Sequence, residues 1–114
     1  MSIGELQSAL RAFAHERDWE QFHSPKNLAA ALAVEAGEVL EHFQWLSEDE
    51  SAALDDARRH EVALELADVL LYLIRLADRL DVDLMASARE KLAINAQKYP
   101  VERARGSHRK YTEL

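Results

Sequence analysis

This sequence predicts an all-α fold, four helices joined by short connections and packed as a bundle, and three observations carry that expectation. Only three glycines and two prolines punctuate its 114 residues. No run alternates apolar and polar residues with the period of two that a half-buried strand needs. Apolar residues recur instead at three- and four-residue spacing, in stretches bounded by residues suited to helix ends. A chain of this length is one domain, able to bury a real core.

Ser2 is placed to cap a first helix of about Ile3 to Arg17, with Ile3, Leu6, Leu10 and Phe13 along one side. Asp18-Trp19-Glu20-Gln21-Phe22-His23 breaks the period and sets two large aromatics and a histidine in a connection. Loop aromatics either anchor a loop to the core or line a pocket, and Trp19 is a candidate for the second role. His23 reads first as a solvated or locally bonded side chain. Ser24-Pro25 then opens a second helix, serine as the cap and proline where a missing N–H is harmless. This helix runs to about Leu46, with Leu28, Leu32, Glu35, Val39 and Phe43 on one stripe. Ala29, Ala30, Ala31, Ala33, Ala36 and Gly37 keep it thin, which suits a close partner helix.

Ser47 and Glu50 form the capping box of a third helix, whose polar first turns to Arg59 can be a separate short element. From His60 to Leu80 the pattern is apolar nearly all round, as in a helix buried on several sides. Asp83 caps a fourth helix from Leu84 to about Tyr99, and Pro100 ends it. Residues 1–100 thus read as one helical domain. Residues 101–114 read as a C-terminal arm with little periodicity, basic as far as Lys110.

The chemistry lies in two acidic pairs. Glu35 and Glu38 are one turn apart and roughly 60° apart around their helix, so both reach one point. Glu65 and Asp68 repeat that spacing, with Tyr72 one turn further along the same face. An isolated Glu-x-x-Glu is ordinarily a solvated helix face with salt-bridge partners. Two pairs flanked by apolar sequence are different, because buried carboxylates are costly unless paired or bound to a cation. With all-oxygen donors and no cysteine, the expected cation is Mg²⁺, with Mn²⁺ as substitute. Magnesium sites commonly complete their shell with water and substrate phosphates. Lys91, Asn95 and Lys98 share one face of the fourth helix and suit an anionic, hydrogen-bonding ligand. An oxidative di-iron bundle is disfavoured, since Glu-x-x-His occurs only at Glu20 to His23, in a connection.

Composition narrows the classes. A chain 48% hydrophobic and 31% charged is globular rather than disordered. A net charge of −7 argues against nonspecific binding to nucleic acid or an anionic membrane. Without cysteine there are no disulfides, thiolate sites or thiol chemistry. Val62 to Leu80 is interrupted by Glu65, Asp68, Arg75, Asp78 and Arg79, so it does not read as a membrane span. No signal peptide is visible, and a cytoplasmic location is the expectation.

At the acidic pairs the sequence resembles a known family. Glu35-x-x-Glu38, 26 intervening residues, then Glu65-x-x-Asp68 is similar to the signature of the MazG-like all-α nucleoside triphosphate pyrophosphohydrolases. Glu16 to His23, Phe43-Gln44-Trp45, Asp68 to Leu73, Lys91 to Pro100 and Arg109 to Leu114 extend the likeness over nearly the whole chain, toward the branch acting on dCTP. The resemblance implies Mg²⁺-dependent hydrolysis of a nucleoside triphosphate, dCTP or a modified dCTP, to the monophosphate and pyrophosphate. It implies metal binding by Glu35, Glu38, Glu65 and Asp68, with Glu35 and Glu38 catalytic. It also implies base contacts from Trp19 and Trp45, phosphate contacts from Lys91, Lys98 and Arg109, and sugar or phosphate neighbours in Asn95 and Tyr72. A dimer or tetramer with sites at subunit interfaces goes with it. One departure is Leu10, where cytosine-preferring relatives can carry histidine. The rival expectation, from the residues alone, is a non-catalytic helical dimerisation or adaptor module, in which the acidic pairs would face water.

Overall fold

A computed structural model describes residues 1–114. It is all-helical: α1 (Ile3–Glu16), α2 (Pro25–Glu41), α3 (Glu48–Ser51), α4 (Asp56–Arg79), α5 (Leu84–Lys98) and α6 (Val101–Ala104), with short 3₁₀ turns at Glu20–Phe22 and Tyr111–Glu113. The four long helices are those the periodicity predicts. The chain forms two compact units, Met1–Asp81 and Val82–Leu114.

In the first unit α4 is the axis. Helix α2 packs along it, and α1 packs against it. Leu28 of α2, Ala14 of α1, and Val62, Ile74 and Ala77 of α4 are buried. Local chemistry sets the helix starts. Ser2, Ser24, Ser47 and Asp55 each accept a hydrogen bond from the backbone N–H three residues on. At Ser47 the bond is reciprocal, the Glu50 carboxylate accepting from the Ser47 N–H at 2.9 Å.

The end of α1 positions the aromatic connection. Asp18 adopts a left-handed backbone, φ 53°, and its N–H donates to the His15 carbonyl at 3.1 Å. The Trp19 N–H reaches back to the Ala14 carbonyl at 2.9 Å. This is a Schellman closure with aspartate where glycine is usual, and it fixes the direction in which Trp19 leaves the helix.

Three details differ from the sequence reading. Helix α2 ends at Glu41, about a turn before Leu46, and residues 42–45 form turns. The polar segment after Ser47 is a separate short helix, the option the sequence offered, because its capping box starts one turn and Ala52–Asp55 breaks it before Asp55 caps α4. Gly37 has open space where a Cβ would stand, so no close helix approach within this chain explains it. Moreover, Leu66, Leu70 and Leu73 of α4 remain exposed, although the sequence predicts burial on several sides.

In the second unit the Asp83 carboxylate accepts the Ala86 N–H at the start of α5. The helix stops at Tyr99 before Pro100. Tyr111 returns to meet Tyr99 edge-on at 5.9 Å, with the Lys98 ammonium 4.8 Å from the Tyr111 ring centroid. No helix is long and apolar enough to cross a membrane.

Leu28 is 2% exposed and is among the largest fully buried side chains. Leu28→Ala is expected to lower unfolding stability by about 2–5 kcal/mol, through lost transfer energy and a residual cavity. Chemical denaturation checks this, and a loss below about 0.5 kcal/mol would show that the site is not core.

Candidate active site

The packing of α2 on α4 brings Glu35, Glu38 and Glu65 together. One oxygen from each carboxylate lies within 4.8 Å of the others, and all three residues are half-buried. Glu35 Oε2 and Glu65 Oε2 are buried without any hydrogen-bond partner. Buried polar atoms are rarely left in that state in native proteins. Beside them, His42 Nε2 stands 3.8 Å from Glu65 Oε1, in the turn that ends α2.

Crowding appears directly in the electrostatics. Burial is the first cause that raises the Glu35 carboxyl to about 7. Glu38 follows, accepting a hydrogen bond from the protonated form and repelling the ionised one, and the charges of Asp68 and Glu65 add to the effect. Glu65 is also raised, first by its hydrogen bond with Glu38, then by burial and the charges of Glu38 and Asp68, with His42 opposing.

Asp68 stands apart from the three-carboxylate cluster. It is exposed rather than buried as the sequence suggests, because it lies toward an open cavity one turn along α4. Its charge still acts on Glu35 and Glu65. The cavity, about 320 Å³, is formed by Leu10 and Phe13 of α1, Trp19 and His23 of the connection, and Asp68, Leu71, Tyr72 and Arg75 of α4. Phe13 meets Trp19 edge-on at 5.7 Å, and Trp19 meets His23 at 6.4 Å. Asp68 therefore belongs to the edge of an aromatic pocket and to the field of the acidic cluster.

The remaining sequence candidates fall elsewhere. Trp45, in the turns after α2, is 87% exposed and does not line this cavity. Lys91, Asn95 and Lys98 are on α5 in the second unit, where Asn95 and Lys98 are half-buried and Lys91 is exposed. Arg109 lines a separate hollow with Arg103, Gly106, Ser107, His108 and Glu113.

The sequence reading missed Phe13, Leu71 and Arg75 as cavity residues, and His42 beside the carboxylates. Phe13 and Leu71 look like any core residue in the pattern. Arg75 did leave a signal, a cation inside the most apolar helix with an acidic residue three positions on.

An all-α chain with clustered carboxylates on two packed helices defines a class, helical proteins whose acidic cluster could hold a cation. Residues 30–114 match the model of the MazG-like family, and the chain belongs to that family. It is 51% identical to human (Homo sapiens) dCTP pyrophosphatase 1 over 99% of this chain and 68% of that protein. With dCTP pyrophosphatase 1 of Rattus norvegicus the identity is 50%, with the same coverage. A crystal structure of a pyrophosphatase from Archaeoglobus fulgidus superposes with a TM-score of 0.81 at 41% identity, covering 85% of this chain and 91% of that one. Dependence on a divalent metal is general in the family, and the all-oxygen cluster with two orphaned oxygens fits one.

The Glu35 shift has a sign that can be tested without metal. A glutamate unfolded near about 4.5 and folded near about 7 contributes stability that is full below the first value and is lost as pH rises through the second. The metal-free chain is therefore expected to lose stability between about pH 4.5 and about pH 7.5, and Glu35→Gln to flatten that slope. Denaturation in EDTA across this range checks it. An equally steep slope in the variant would remove Glu35 as its source.

Proposed function

We propose that this chain is a Mg²⁺-dependent pyrophosphohydrolase that converts dCTP, or dCTP modified on the base, to the monophosphate and pyrophosphate, so cleansing the nucleotide pool. The observation that carries this reading is the pair of orphaned oxygens on Glu35 and Glu65, within a carboxylate cluster whose field includes Asp68. An adaptor module has no use for such atoms, and its acidic pairs would face water. Relatives named for dCTP hydrolysis supply the substrate.

Glu35, Glu38, Glu65 and Asp68 would hold Mg²⁺, with Mn²⁺ as substitute. A bound ion supplies charge neutralisation at the phosphates and a more acidic water. We assign Glu35 to receive the proton of the attacking water, because its buried Oε2 has no hydrogen-bond partner within the cluster. Glu38 takes the firmer ligand role. A cation would also relieve the repulsion that raises Glu35 and Glu65.

The base belongs in the aromatic cavity, against Trp19. Its volume, about 320 Å³, falls within the usual range of small-ligand pockets. Leu10 and Phe13 give it an apolar wall that suits a substituent on the ring, and Tyr72, which also lines it, is assigned as a sugar or phosphate neighbour. Lys91 and Lys98 are assigned to the phosphates, with Arg109 as a further contact and Asn95 as a sugar or phosphate neighbour. The exposed Trp45 is assigned to the base in an assembled site. Assembly as a homodimer or homotetramer is part of the proposal, and the uncovered Leu66, Leu70 and Leu73 of α4 support it. So is a cytoplasmic location, with neither nucleic acid nor membrane as partner.

Product analysis over a nucleotide panel with Mg²⁺ tests the reading. Monophosphate and pyrophosphate from dCTP are expected, abolished by EDTA. Glu38→Gln is expected to lower kcat/KM about a hundredfold or more, as when one preorganised electrostatic group is lost, while circular dichroism stays unchanged. Stepwise release of inorganic phosphate, or turnover that survives EDTA, would sink the proposal.

A further inference from the structure

The reaction leaves one buried cation without a task. Arg75 is 6% exposed and lines the aromatic cavity from α4. Two partners hold it. Its Nε–H donates to His23 Nδ1 at 3.1 Å, and its Nη1 lies 3.5 Å from Asp78 Oδ2. Asp78 is itself fixed by Arg11 Nε at 2.7 Å and Gln7 Nε2 at 3.0 Å. A network of this kind, spanning α1, the connection and α4, leaves the guanidinium little freedom.

The consequence falls on His23. An arginine N–H can only donate, so Nδ1 of His23 must accept, and the proton of a neutral imidazole must then sit on Nε2. The surroundings keep the ring neutral. Burial lowers its pKa, followed by the charges of Arg75 and Arg79, with Glu20 opposing. Its backbone is tied as well, since the His23 carbonyl accepts from Arg79 Nε at 3.1 Å and its N–H donates to the Glu20 carbonyl at 3.1 Å. The ring lines the cavity, and Nε2 has no hydrogen-bond partner within the protein.

We propose that Arg75 is a positioning residue for base selection: it fixes His23 as the Nε2–H tautomer, so that this ring offers a neutral donor to an acceptor nitrogen on the base, N3 of cytosine. Uracil and thymine carry N3–H at that place and would meet donor with donor. An imidazole released from Arg75 could present a bare Nε2 instead, and would then accept from N3–H as readily. This inference rests on the reading that the cavity holds the base of a nucleoside triphosphate.

Two measurements on the full chain test it. Nitrogen-15 NMR of the resting protein is expected to show His23 protonated on Nε2 alone, and Arg75→Met is expected to give a mixture of tautomers. Arg75→Lys, which keeps a donor, is expected to restore the first pattern at least in part. In steady-state assays with Mg²⁺, Arg75→Met is expected to lower the ratio of kcat/KM for dCTP over dUTP by about fivefold to tenfold, the worth of one hydrogen bond, mainly through KM for dCTP. His23→Phe, which keeps a ring and removes the donor, is expected to lower the ratio as far, and it covers the case in which Arg75→Met fails to fold. A proton on Nδ1 in the resting protein would overturn the proposal. So would an unchanged ratio in folded variants, which would leave the hydrolase reading standing. No turnover of either nucleotide would overturn both.

Discussion

Glu35, Glu38 and Glu65 are held together because α2 packs along α4, and that packing works against the repulsion of three carboxylates. The unfavourable contact is concentrated where the helices meet and is relieved in part by protonation, as the raised Glu35 and Glu65 show. Folding energy elsewhere must exceed it. The buried Leu28, Ile74 and Val62, and the capped ends of the helices, are where that energy is found. Crowded carboxylates of this kind fit a family in which dependence on a divalent metal is general.

The aromatic pocket is built differently. Its walls come from α1, the connection and α4, and its shape depends on how α1 ends. The left-handed Asp18 and the Trp19-to-Ala14 hydrogen bond turn the chain so that Trp19 meets Phe13 and His23. Two of the polar groups that line this pocket, His23 and Arg75, are restrained. Arg75 is held by Asp78 and His23, and Asp78 by Arg11 and Gln7.

Much of this was legible in the residues. The serine and aspartate caps, the proline at Pro25 and the stop at Pro100 act within one turn of chain, so their effects follow from neighbours in sequence. The spacing of Glu35 with Glu38 fixes a common face by helix geometry alone. The family resemblance added what spacing could not, a reaction and a base. The early end of α2 and the left-handed backbone of Asp18 were not legible, because the apolar pattern runs on past Glu41 and no glycine marks the left-handed residue.

By itself, then, the sequence determined the helices, their boundaries to within about a turn, and the four acidic residues that would share a chemistry, since all of these depend on contacts within a few residues. Only the tertiary structure decided which carboxylates converge. Glu35, Glu38 and Glu65 form the cluster, while Asp68 turns to the edge of the aromatic pocket. It also decided that Arg75 reaches His23, 52 positions away in the chain. Both depend on the rotation of one helix against another, which many distant side chains set together and no local pattern of residues records.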